Sequence, residues 1–438
     1  MEIARRKLSY WKDSGRLICI ADKSQLTTVE AQQMISHTLG DSQAHITDSL
    51  DDLDPAASII YMASSADWSE LQNTSLVPPV NRLEVDLAKL RTNLERLSQR
   101  SPGDVVAMVK ANAYGHGMVE VARFVDTIPA VSHLGVATIQ EGLTLKRCGV
   151  STEVLVTYPT VAEVPQLYKE ELTIAVGSLE LLQALIETAL PVTIHLDIDT
   201  GFHRSGFSQN ELGHVKELLS GSNLNLAGVM THLSCADEEG KESLNQSQVE
   251  RFQKASDLFD GDILRHIGNT AASLLWNEGG WSPIRPGIGL YGLHPSRLTE
   301  NHIELEPVAR LRSEIIQVID VPGGEPVGYG ATWTAPAAGA RIGLVPNGYG
   351  DGIPRSLSNN LVVQVGKDNV ELVGRVSMDS FTLDITNHPE LGIGDAVTVY
   401  SDETAALNSV DSIAQACGTI NYEVATHLAE RLCRTYSF

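Results

Sequence analysis

Between residue 80 and about residue 295, short apolar, β-branched runs alternate with amphipathic segments of helical length. Such alternation is typical of βαβ units, in which helices connect the parallel strands of one sheet. About eight repeats in about 200 residues favour a (β/α)8 barrel of the TIM type. A doubly wound open sheet would give a similar pattern and stays an alternative. The predicted strands are Val105–Val109, Leu134–Thr138, Val154–Tyr158, Leu172–Val176, Val192–Ile198, Leu226–Thr231 and Leu264–Ile267, with a final short run at Gly287–Gly292.

Beyond about residue 305 the helical spacing fades, and strand-like segments are punctuated by Gly, Pro and Asn. This pattern predicts a mainly β C-terminal domain with one late helix near Ser409–Cys417. The segments read as strands are Leu311–Asp320, Arg341–Val345, Leu361–Val365 and Ala396–Tyr400.

The first 78 residues form a third pattern. An apolar run at Leu17–Ala21 precedes a helical pattern at Thr28–Leu39, and a second apolar run follows at Ser58–Ala63. This order predicts a small α/β segment, and the paired prolines of Thr74–Pro79 indicate a linker or turn. We therefore divide the chain into residues 1–78, 80–305 and 306–438.

Composition narrows the classes of function. The formal net charge is -23, which would repel nucleic acid and anionic membrane surfaces. Five scattered cysteines without CxxC spacing make a zinc site or a disulfide framework a poor interpretation, so no metal is expected. No apolar run approaches the roughly 20 residues of a membrane span, and the N-terminus does not resemble a signal peptide. We expect a cytoplasmic protein.

Polar residues follow most of the predicted strands at the point where each strand ends. In a barrel the carboxyl ends of all strands meet at one face, where active sites are built. Any one of these residues is as easily explained as an ordinary polar loop residue, but together they predict a single site. They are Lys110-Ala111-Asn112, Asp199-Thr200-Gly201, His232, His266 with Asn269, and Arg285.

Lys110 is the most informative of these residues, because it follows the apolar run Val105–Val109. Removing an ammonium group from water is unfavourable. Such a position lowers the pKa of a lysine and makes its amine nucleophilic, which suits Schiff-base chemistry. A lysine whose ammonium group extends from the barrel rim into solvent is the structural alternative.

The string AMVKANAYGHG (Ala107–Gly117) resembles the cofactor-lysine motif of the alanine racemases, which are fold type III pyridoxal-phosphate enzymes. The resemblance extends from about residue 80 to the C-terminus and leaves out the first 78 residues. Further segments match in the family's order: Asn81–Leu94, Asp199–Phe207, Thr231–Glu238, Arg265–Ala272, Arg285–Gly292, Val327–Trp333, Asn347–Arg355, Gly374–Ser380 and Arg431–Tyr436.

The resemblance implies a pyridoxal 5'-phosphate enzyme that racemises alanine as a head-to-tail homodimer. Lys110 would hold the cofactor and act as the base on one face of the substrate Cα. Tyr329, from the second subunit, would be the base on the other face, since racemisation removes a proton from one face and returns one to the opposite face. The resemblance also implies cofactor contacts from Tyr114, His232, Asn269, Thr270, Arg285, Gly287, Ile288 and Tyr436, and substrate contacts from Arg204, Tyr349 and Met378.

The chain departs from the family pattern at several positions. Asp197 stands where many members have a lysine that becomes carbamylated, and we expect its carboxylate to support Arg204 without modification. Phe202, Ile353 and Ser377 also differ from the common residues, so serine or a broader range of amino acids are alternative substrates. For Asp351, an ion pair with Arg355 is the structural alternative to a functional role.

A non-catalytic pyridoxal-phosphate-binding protein is an alternative from a different class. Such proteins end after the barrel, whereas this chain adds a β domain that contains Tyr329 and Tyr349, so catalysis is the favoured interpretation. The resemblance further implies that the product D-alanine supplies peptidoglycan synthesis. Residues 1–78 have no assigned role, and a remnant of a fused Mur ligase domain is one interpretation of them.

Overall fold

The computed structural model describes residues 8–13, 16–22, 44–47, 58–63, 79–101, 103–169, 171–276 and 280–438. The chain divides into two compact units, Lys89–Glu306 and a second unit that combines Met1–Ala88 with Pro307–Phe438. The helix predicted at Thr28–Leu39 lies outside the described residues, as does all but the last residue of the predicted linker Thr74–Pro79. The three-part division drawn from the sequence stays a prediction.

The unit Lys89–Glu306 is built on one parallel sheet of seven strands, each paired with the next strand along the chain. Strands such as Val105–Met108 and Thr173–Val176 are buried at every position, as expected for parallel strands covered on both faces. The strands are Val105–Met108, Val131–Val136, Glu153–Val156, Thr173–Val176, Thr193–Asp197, Asn225–Met230 and Leu264–His266.

The sheet is joined back to its first strand by the segment around Ile284. Val105 and Ile284 form a parallel bridge, and the amide of Val106 donates to the carbonyl of Ile284 at 2.8 Å. The barrel class predicted from the sequence is confirmed, with its eighth strand reduced to this bridge. The final short run at Gly287–Gly292, which leads out of this region of the chain, contains a 3-10 turn, Ile288–Tyr291.

Helices connect the strands, and side chains cap the first turns of some of them. Thr138 and Glu141 form a reciprocal capping box at the start of Ile139–Arg147, and Ser178 caps Leu179–Glu187; such caps satisfy amides that have no partner within the helix. The α-helices between residues 87 and 300 are Leu87–Ser98, Met118–Val125, Ile139–Arg147, Leu179–Glu187, Leu212–Ser220, Glu242–Ser256, Thr270–Leu275 and Arg297–Glu300, with a further 3-10 helix at Val161–Lys169.

The second unit contains a mixed sheet of thirteen strands. The predicted strand Leu311–Asp320 is in fact two strands, and the predicted late helix is confirmed at Val410–Cys417. In sheet order the strands are Gln317–Val321, Ala340–Val345, Phe381–Asp384, Asp368–Val373, Val362–Val365, Ala396–Tyr400, Ala309–Glu314, Arg82–Asp86, Cys433–Ser437, Leu8–Asp13, Arg16–Asp22, Ser58–Ala63 and Ala44–Thr47.

Shorter elements complete this unit, and three 3-10 turns lie among the loops that carry the predicted tyrosines. A two-stranded ribbon pairs Pro326–Val327 with Trp333–Thr334. The remaining elements are the helix Asn421–Thr426 and the 3-10 turns Tyr329–Ala331, Tyr349–Asp351 and Arg355–Leu357.

The N-terminal strands extend the large sheet. Arg16–Asp22 and Ser58–Ala63 are strands that pair in parallel. The strands of the predicted α/β segment are therefore confirmed. Leu8–Asp13 runs antiparallel to Arg16–Asp22 and also pairs with the C-terminal strand Cys433–Ser437. Within the described ranges, no helix is both long and apolar enough to span a bilayer.

Candidate active site

Lys110 stands where the buried strand Val105–Met108 ends, one residue after the buried Val109. Burial of the ammonium group lowers the pKa of Lys110 below its usual value, and the positive charges of Arg204 and Arg285 lower it further. The carboxylate of Glu141 opposes this shift. A larger fraction of the amine is therefore neutral, and nucleophilic, than in an exposed lysine.

The backbone after Lys110 makes a left-handed turn through Ala111–Tyr114. All four residues have φ between 51° and 54°. Residues other than glycine rarely adopt this conformation, which costs about 1–2 kcal/mol for each residue. Hydrogen bonds hold the turn at its start, because Glu141 accepts from the amide of Ala111 at 2.8 Å and Asn112 accepts from the amide of Met118 at 2.8 Å. Surrounding contacts thus fix the backbone on which Lys110 and Tyr114 are carried.

A group of hydrogen-bond donors suited to a phosphate lies at the start of the 3-10 turn Ile288–Tyr291. The amides of Gly287 and Gly289 donate to the buried Thr270 hydroxyl oxygen at 3.1 and 3.4 Å, which leaves the hydrogen of that hydroxyl to donate elsewhere. A Cβ at Gly287 would overlap the phenol oxygen of Tyr114. Only glycine allows backbone and phenol to converge here, and hydroxyls and backbone amides are donors that can bind an anion. The residues therefore fit the phosphate of the implied cofactor.

Arg285 is 6% exposed and is fixed on two sides. Its Nη1 lies 2.8 Å from His266 Nδ1 and donates to the His266 carbonyl at 2.9 Å, and its Nη2 donates to the Thr231 carbonyl at 2.7 Å. Burial lowers the pKa of Arg285 to about 10, although the negative charge of Asp197 acts to raise it. Arg285 therefore remains a cation at neutral pH and can only donate hydrogen bonds.

His232 and Asn269 are hydrogen-bonded to each other. The amide nitrogen of Asn269 lies 3.0 Å from His232 Nε2, and the Asn269 oxygen accepts from the amide of Ala272 as the cap of Thr270–Leu275. Because an amide nitrogen only donates, His232 Nε2 is the acceptor and Nδ1 carries the proton. Burial, followed by the charge of Arg285, lowers the pKa of His232 to about 3, so its ring is neutral.

Arg204 is exposed, and its guanidinium lies over the ring of Phe202 at 4.2 Å and over that of Tyr158 at 5.6 Å. Asp197 accepts a hydrogen bond from the Ser205 hydroxyl at 2.7 Å. Burial raises the pKa of Asp197, and the charges of Arg285 and Arg204 oppose that rise. The role of Asp197 as a support for Arg204 stays a prediction.

Tyr329 belongs to the unit that contains Pro307–Phe438, and 71% of its side-chain surface is exposed. Its 3-10 turn is bounded by Gly328 and contains Gly330, with φ of 73° and 72°. A Cβ at Gly330 would come within 2.7 Å of the Arg375 guanidinium. The glycines thus let the loop carrying Tyr329 pack closely on the Arg375 loop while the phenol projects into solvent.

Tyr349 and Met378 lie on two adjoining loops of the same unit and are 43% and 55% exposed. The amide of Gly350 donates to the Met378 carbonyl at 2.8 Å. Arg431 links these loops, since it bonds Asp351 at 2.7 Å and Asp379 at 2.8 Å. The structural alternative for Asp351, an ion pair with Arg355, is not found, because Asp351 pairs with Arg431.

The predicted site residues are thus distributed over both units. Tyr436 lies in the strand Cys433–Ser437, pairs in register with Val85 and is 9% exposed. Together with Tyr329, Tyr349 and Met378 it belongs to the unit of Pro307–Phe438. The unit Lys89–Glu306 holds Lys110, Tyr114, Arg204, His232, Asn269, Thr270, Arg285, Gly287 and Ile288.

One group of possible metal ligands occurs in the described residues. Asp368, His388 and Glu390 present ligand atoms within 4.8 Å of one another. Exposed acidic groups often lie together without an ion, and these residues are in a different unit from Lys110. The absence of a metal from the reaction stays a prediction.

Comparison with known proteins gives consistent matches. The model for "Alanine racemase, N-terminal domain" matches residues 85–295, and that for "Alanine racemase, C-terminal domain" matches residues 308–436. An alanine racemase of Legionella pneumophila (strain Lens) is 37% identical over 366 residues, covering 80% of this chain and 98% of the relative.

Solved structures give the same family. The alanine racemase of D-cycloserine-producing Streptomyces lavendulae matches with a TM-score of 0.77 at 29% identity, covering 83% of this chain and 98% of that one. The alanine racemase of Clostridium difficile 630 matches with a TM-score of 0.77 at 31% identity, covering 82% of this chain and 96% of that one.

Proposed function

The chain belongs to the alanine racemase family, and from this premise we propose that it interconverts L-alanine and D-alanine with pyridoxal 5'-phosphate as cofactor. The observation that carries the proposal is the position of Lys110. Its amine, with a lowered pKa, follows a buried strand, in the same unit as a group of donors suited to phosphate.

When bound, pyridoxal phosphate supplies an aldehyde that holds the amino group of the substrate and a ring that withdraws electrons from the substrate Cα. Lys110 would hold the cofactor covalently between turnovers. Arg285 would face the ring nitrogen and donate to it, since a guanidinium cannot readily give up a proton. The phosphate would be bound by Tyr114, Thr270, Gly287, Ile288 and Tyr436, with His232 and Asn269 also in contact with the cofactor.

Racemisation needs a proton to leave one face of Cα and another to arrive on the opposite face, so two bases are required. Lys110 would move the proton on one face, because its buried amine is neutral more often than that of an exposed lysine. Tyr329 would move the proton on the other face. Arg204, Tyr349 and Met378 would bind the substrate, and the guanidinium of Arg204 is the natural partner of its carboxylate.

We propose that Tyr329 serves the site of a second copy of the chain in a homodimer. The support is the exposure of Tyr329, Tyr349 and Met378, three large side chains of one unit that face solvent in the single chain. Exposed aromatic residues and methionine are enriched at interfaces between proteins. In a bacterium, such an enzyme in the cytoplasm would supply D-alanine for peptidoglycan.

The deciding experiment is a coupled assay of D-alanine conversion by the purified protein and by the variants Lys110→Ala and Lys254→Ala. Lys254 is an exposed helical lysine and serves as the matched control. We expect racemisation and the visible absorbance of lysine-bound cofactor in the wild type and in Lys254→Ala, and neither in Lys110→Ala. A wild-type protein that binds no cofactor would refute the proposal, and one that racemises serine but not alanine would change the substrate.

A further inference from the structure

Three buried histidines lie on strands of the parallel sheet and have no part in the chemistry described above. They are His133 on Val131–Val136, His195 on Thr193–Asp197 and His266 on Leu264–His266, with 6%, 0% and 0% of their surfaces exposed. The ring centroids of His133 and His195 are 5.7 Å apart, and those of His195 and His266 are 4.9 Å apart. Buried polar rings normally have hydrogen-bond partners. The partners of these three histidines therefore indicate the role of each ring.

The contact with Arg285 shows which nitrogen of His266 carries a proton. Arg285 Nη1 lies 2.8 Å from His266 Nδ1. A guanidinium only donates hydrogen bonds, so Nδ1 must be an unprotonated acceptor. The proton of a neutral His266 ring is therefore on Nε2.

The same reasoning extends one residue further. His266 Nε2 lies 3.0 Å from His195 Nδ1. Because His266 Nε2 carries the proton, it donates and His195 Nδ1 accepts. Burial lowers the pKa of His195 to about 3 and that of His266 well below its usual value, and the charge of Arg285 acts in the same direction on both. Both rings are thus neutral, with their protons on Nε2.

Gly228 lies beside the other ring nitrogen of His195, Nε2. His195 stands in register with Gly228 on the neighbouring strand, and a Cβ at position 228 would lie 2.9 Å from His195 Nε2. That Nε2 has no hydrogen-bond partner among the described residues. The ring therefore keeps a buried, unsatisfied N–H, which is unfavourable, while its Nδ1 serves His266.

We infer that His195 is a positioning residue: by accepting the proton of His266 Nε2, it holds His266 in the tautomer whose Nδ1 can accept from Arg285. Arg285 also donates to the carbonyls of His266 and Thr231, so His195 sets the orientation of the guanidinium and does not hold it in place alone. The catalytic part of this inference rests on the proposed function, in which Arg285 faces the ring of the cofactor.

His133 offers a matched control. Its Nε2 lies 3.2 Å from the Glu153 carboxylate, and its Nδ1 lies 2.9 Å from the Ser132 hydroxyl. Both nitrogens are therefore occupied by groups outside the path from Arg285 to His195. Replacing His133 removes a buried histidine beside His195 but leaves the hydrogen bonds among His195, His266 and Arg285 intact.

The test uses the full-length protein with ¹⁵N-labelled histidine, in which nitrogen shifts distinguish the two neutral tautomers and the cation. We expect His266 with its proton on Nε2 in the wild type, in His133→Gln and in His195→Asn, whose side-chain oxygen can accept where Nδ1 did. His195→Leu has no acceptor for His266 Nε2, so in this variant we expect His266 to populate both neutral tautomers. Gly228→Ala should displace the His195 ring without changing its chemistry. We therefore expect the same change in the His266 tautomer as in His195→Leu.

Kinetics with bound cofactor give the second readout. We expect kcat to fall about tenfold in His195→Leu, as for a buried donor left without its partner. His195→Asn should recover most of this loss. A wild-type His266 that is cationic or protonated on Nδ1 would overturn the inference, as would wild-type tautomer and kinetics in His195→Leu. Should the wild type show the expected tautomers yet leave alanine untouched, the proposed function and the catalytic part fail, and the tautomer assignment stands.

Discussion

A side chain at Gly287 would occupy the space of the Tyr114 phenol oxygen. The two residues lie 173 positions apart in the chain, yet the backbone of one and the hydroxyl of the other converge beside the Thr270 hydroxyl. This convergence supports a phosphate site, because a Cβ at position 287 would push the Tyr114 hydroxyl away from the backbone amides.

Gly287→Ala should weaken pyridoxal phosphate binding by at least about tenfold, since the phenol must move away from the backbone amides. Gly213→Ala is the control, because a Cβ at that helical glycine meets no atom within 4 Å. Titration of the apoprotein with cofactor, followed by fluorescence, measures both affinities. Equal affinity in the two variants would show that the phosphate binds elsewhere.

The reactivity of Lys110 should depend on Arg204. Burial and the charge of Arg204 lower the pKa of Lys110, so the rate of covalent cofactor attachment should rise with pH and level off earlier than for an exposed lysine. Arg204→Gln removes a repelling charge, raises the pKa of Lys110 and should shift the curve to higher pH.

Borohydride trapping of the cofactor at a series of pH values measures this curve. Lys216→Gln, which removes an exposed cation paired with Asp260, should leave the curve unchanged. A shift of the Arg204→Gln curve to lower pH would contradict the assigned cause.

Tyr329→Phe should separate the two proton transfers. With Lys110 intact, one enantiomer of alanine should still exchange its Cα hydrogen with deuterated water, whereas exchange from the other enantiomer and racemisation should each fall by about a hundredfold or more. Because Tyr329 is 71% exposed, the change should not unfold the protein. Mass spectrometry of each recovered enantiomer gives the exchange rates, and equal loss for both would argue against two separate bases.

A mixed dimer tests whether Tyr329 serves the site of a partner chain. Lys110→Ala and Tyr329→Phe chains with different tags are co-expressed, and the doubly tagged dimer is isolated. If each site takes Lys110 from one chain and Tyr329 from the other, one of the two sites contains both bases, and about half of the wild-type activity should return. A dimer of two differently tagged Lys110→Ala chains is the control. An inactive mixed dimer would mean that both bases come from the same chain.

Removing residues 1–78 should lower stability more than activity. The strand Leu8–Asp13 pairs with Cys433–Ser437, so its loss exposes a strand edge, and exposed edges promote association between chains. We expect a thermal midpoint lower by several degrees and more aggregation, with kcat retained. Removal of residues 1–7 alone, which leaves that strand, is the control. Loss of kcat at unchanged stability would indicate a part in catalysis.

Much of the barrel could be predicted from the sequence, because buried parallel strands are continuous apolar runs. The position of Lys110 after one of these strands was predictable for the same reason, while its role stays a prediction. The conformation of the last run was not predictable, because Gly287–Gly292 is apolar but too rich in glycine for its pattern to distinguish a strand from a 3-10 turn.

Pairings between distant residues were not accessible from the sequence. Arg431 binds Asp351 across 80 positions of the chain, whereas the sequence offers the nearby Arg355 as an alternative partner. His195 gave no signal either, because a single histidine within an apolar strand has the same pattern whether it is a core residue or a hydrogen-bond partner. Only the 3.0 Å distance between His195 Nδ1 and His266 Nε2 distinguishes the two.

In the left-handed turn that follows Lys110, the usual stability ranking of alanine above glycine is reversed. Glycine ordinarily weakens a helix by about 1 kcal/mol relative to alanine, but at Ala111 and Ala113, with φ of 51° and 53°, glycine would relieve the clash between Cβ and the following carbonyl oxygen. Alanine in turn restricts the backbone more than glycine does. The segment thus gives up folding stability for a more restricted backbone beside Lys110, and substitutions chosen for stability alone would loosen that backbone.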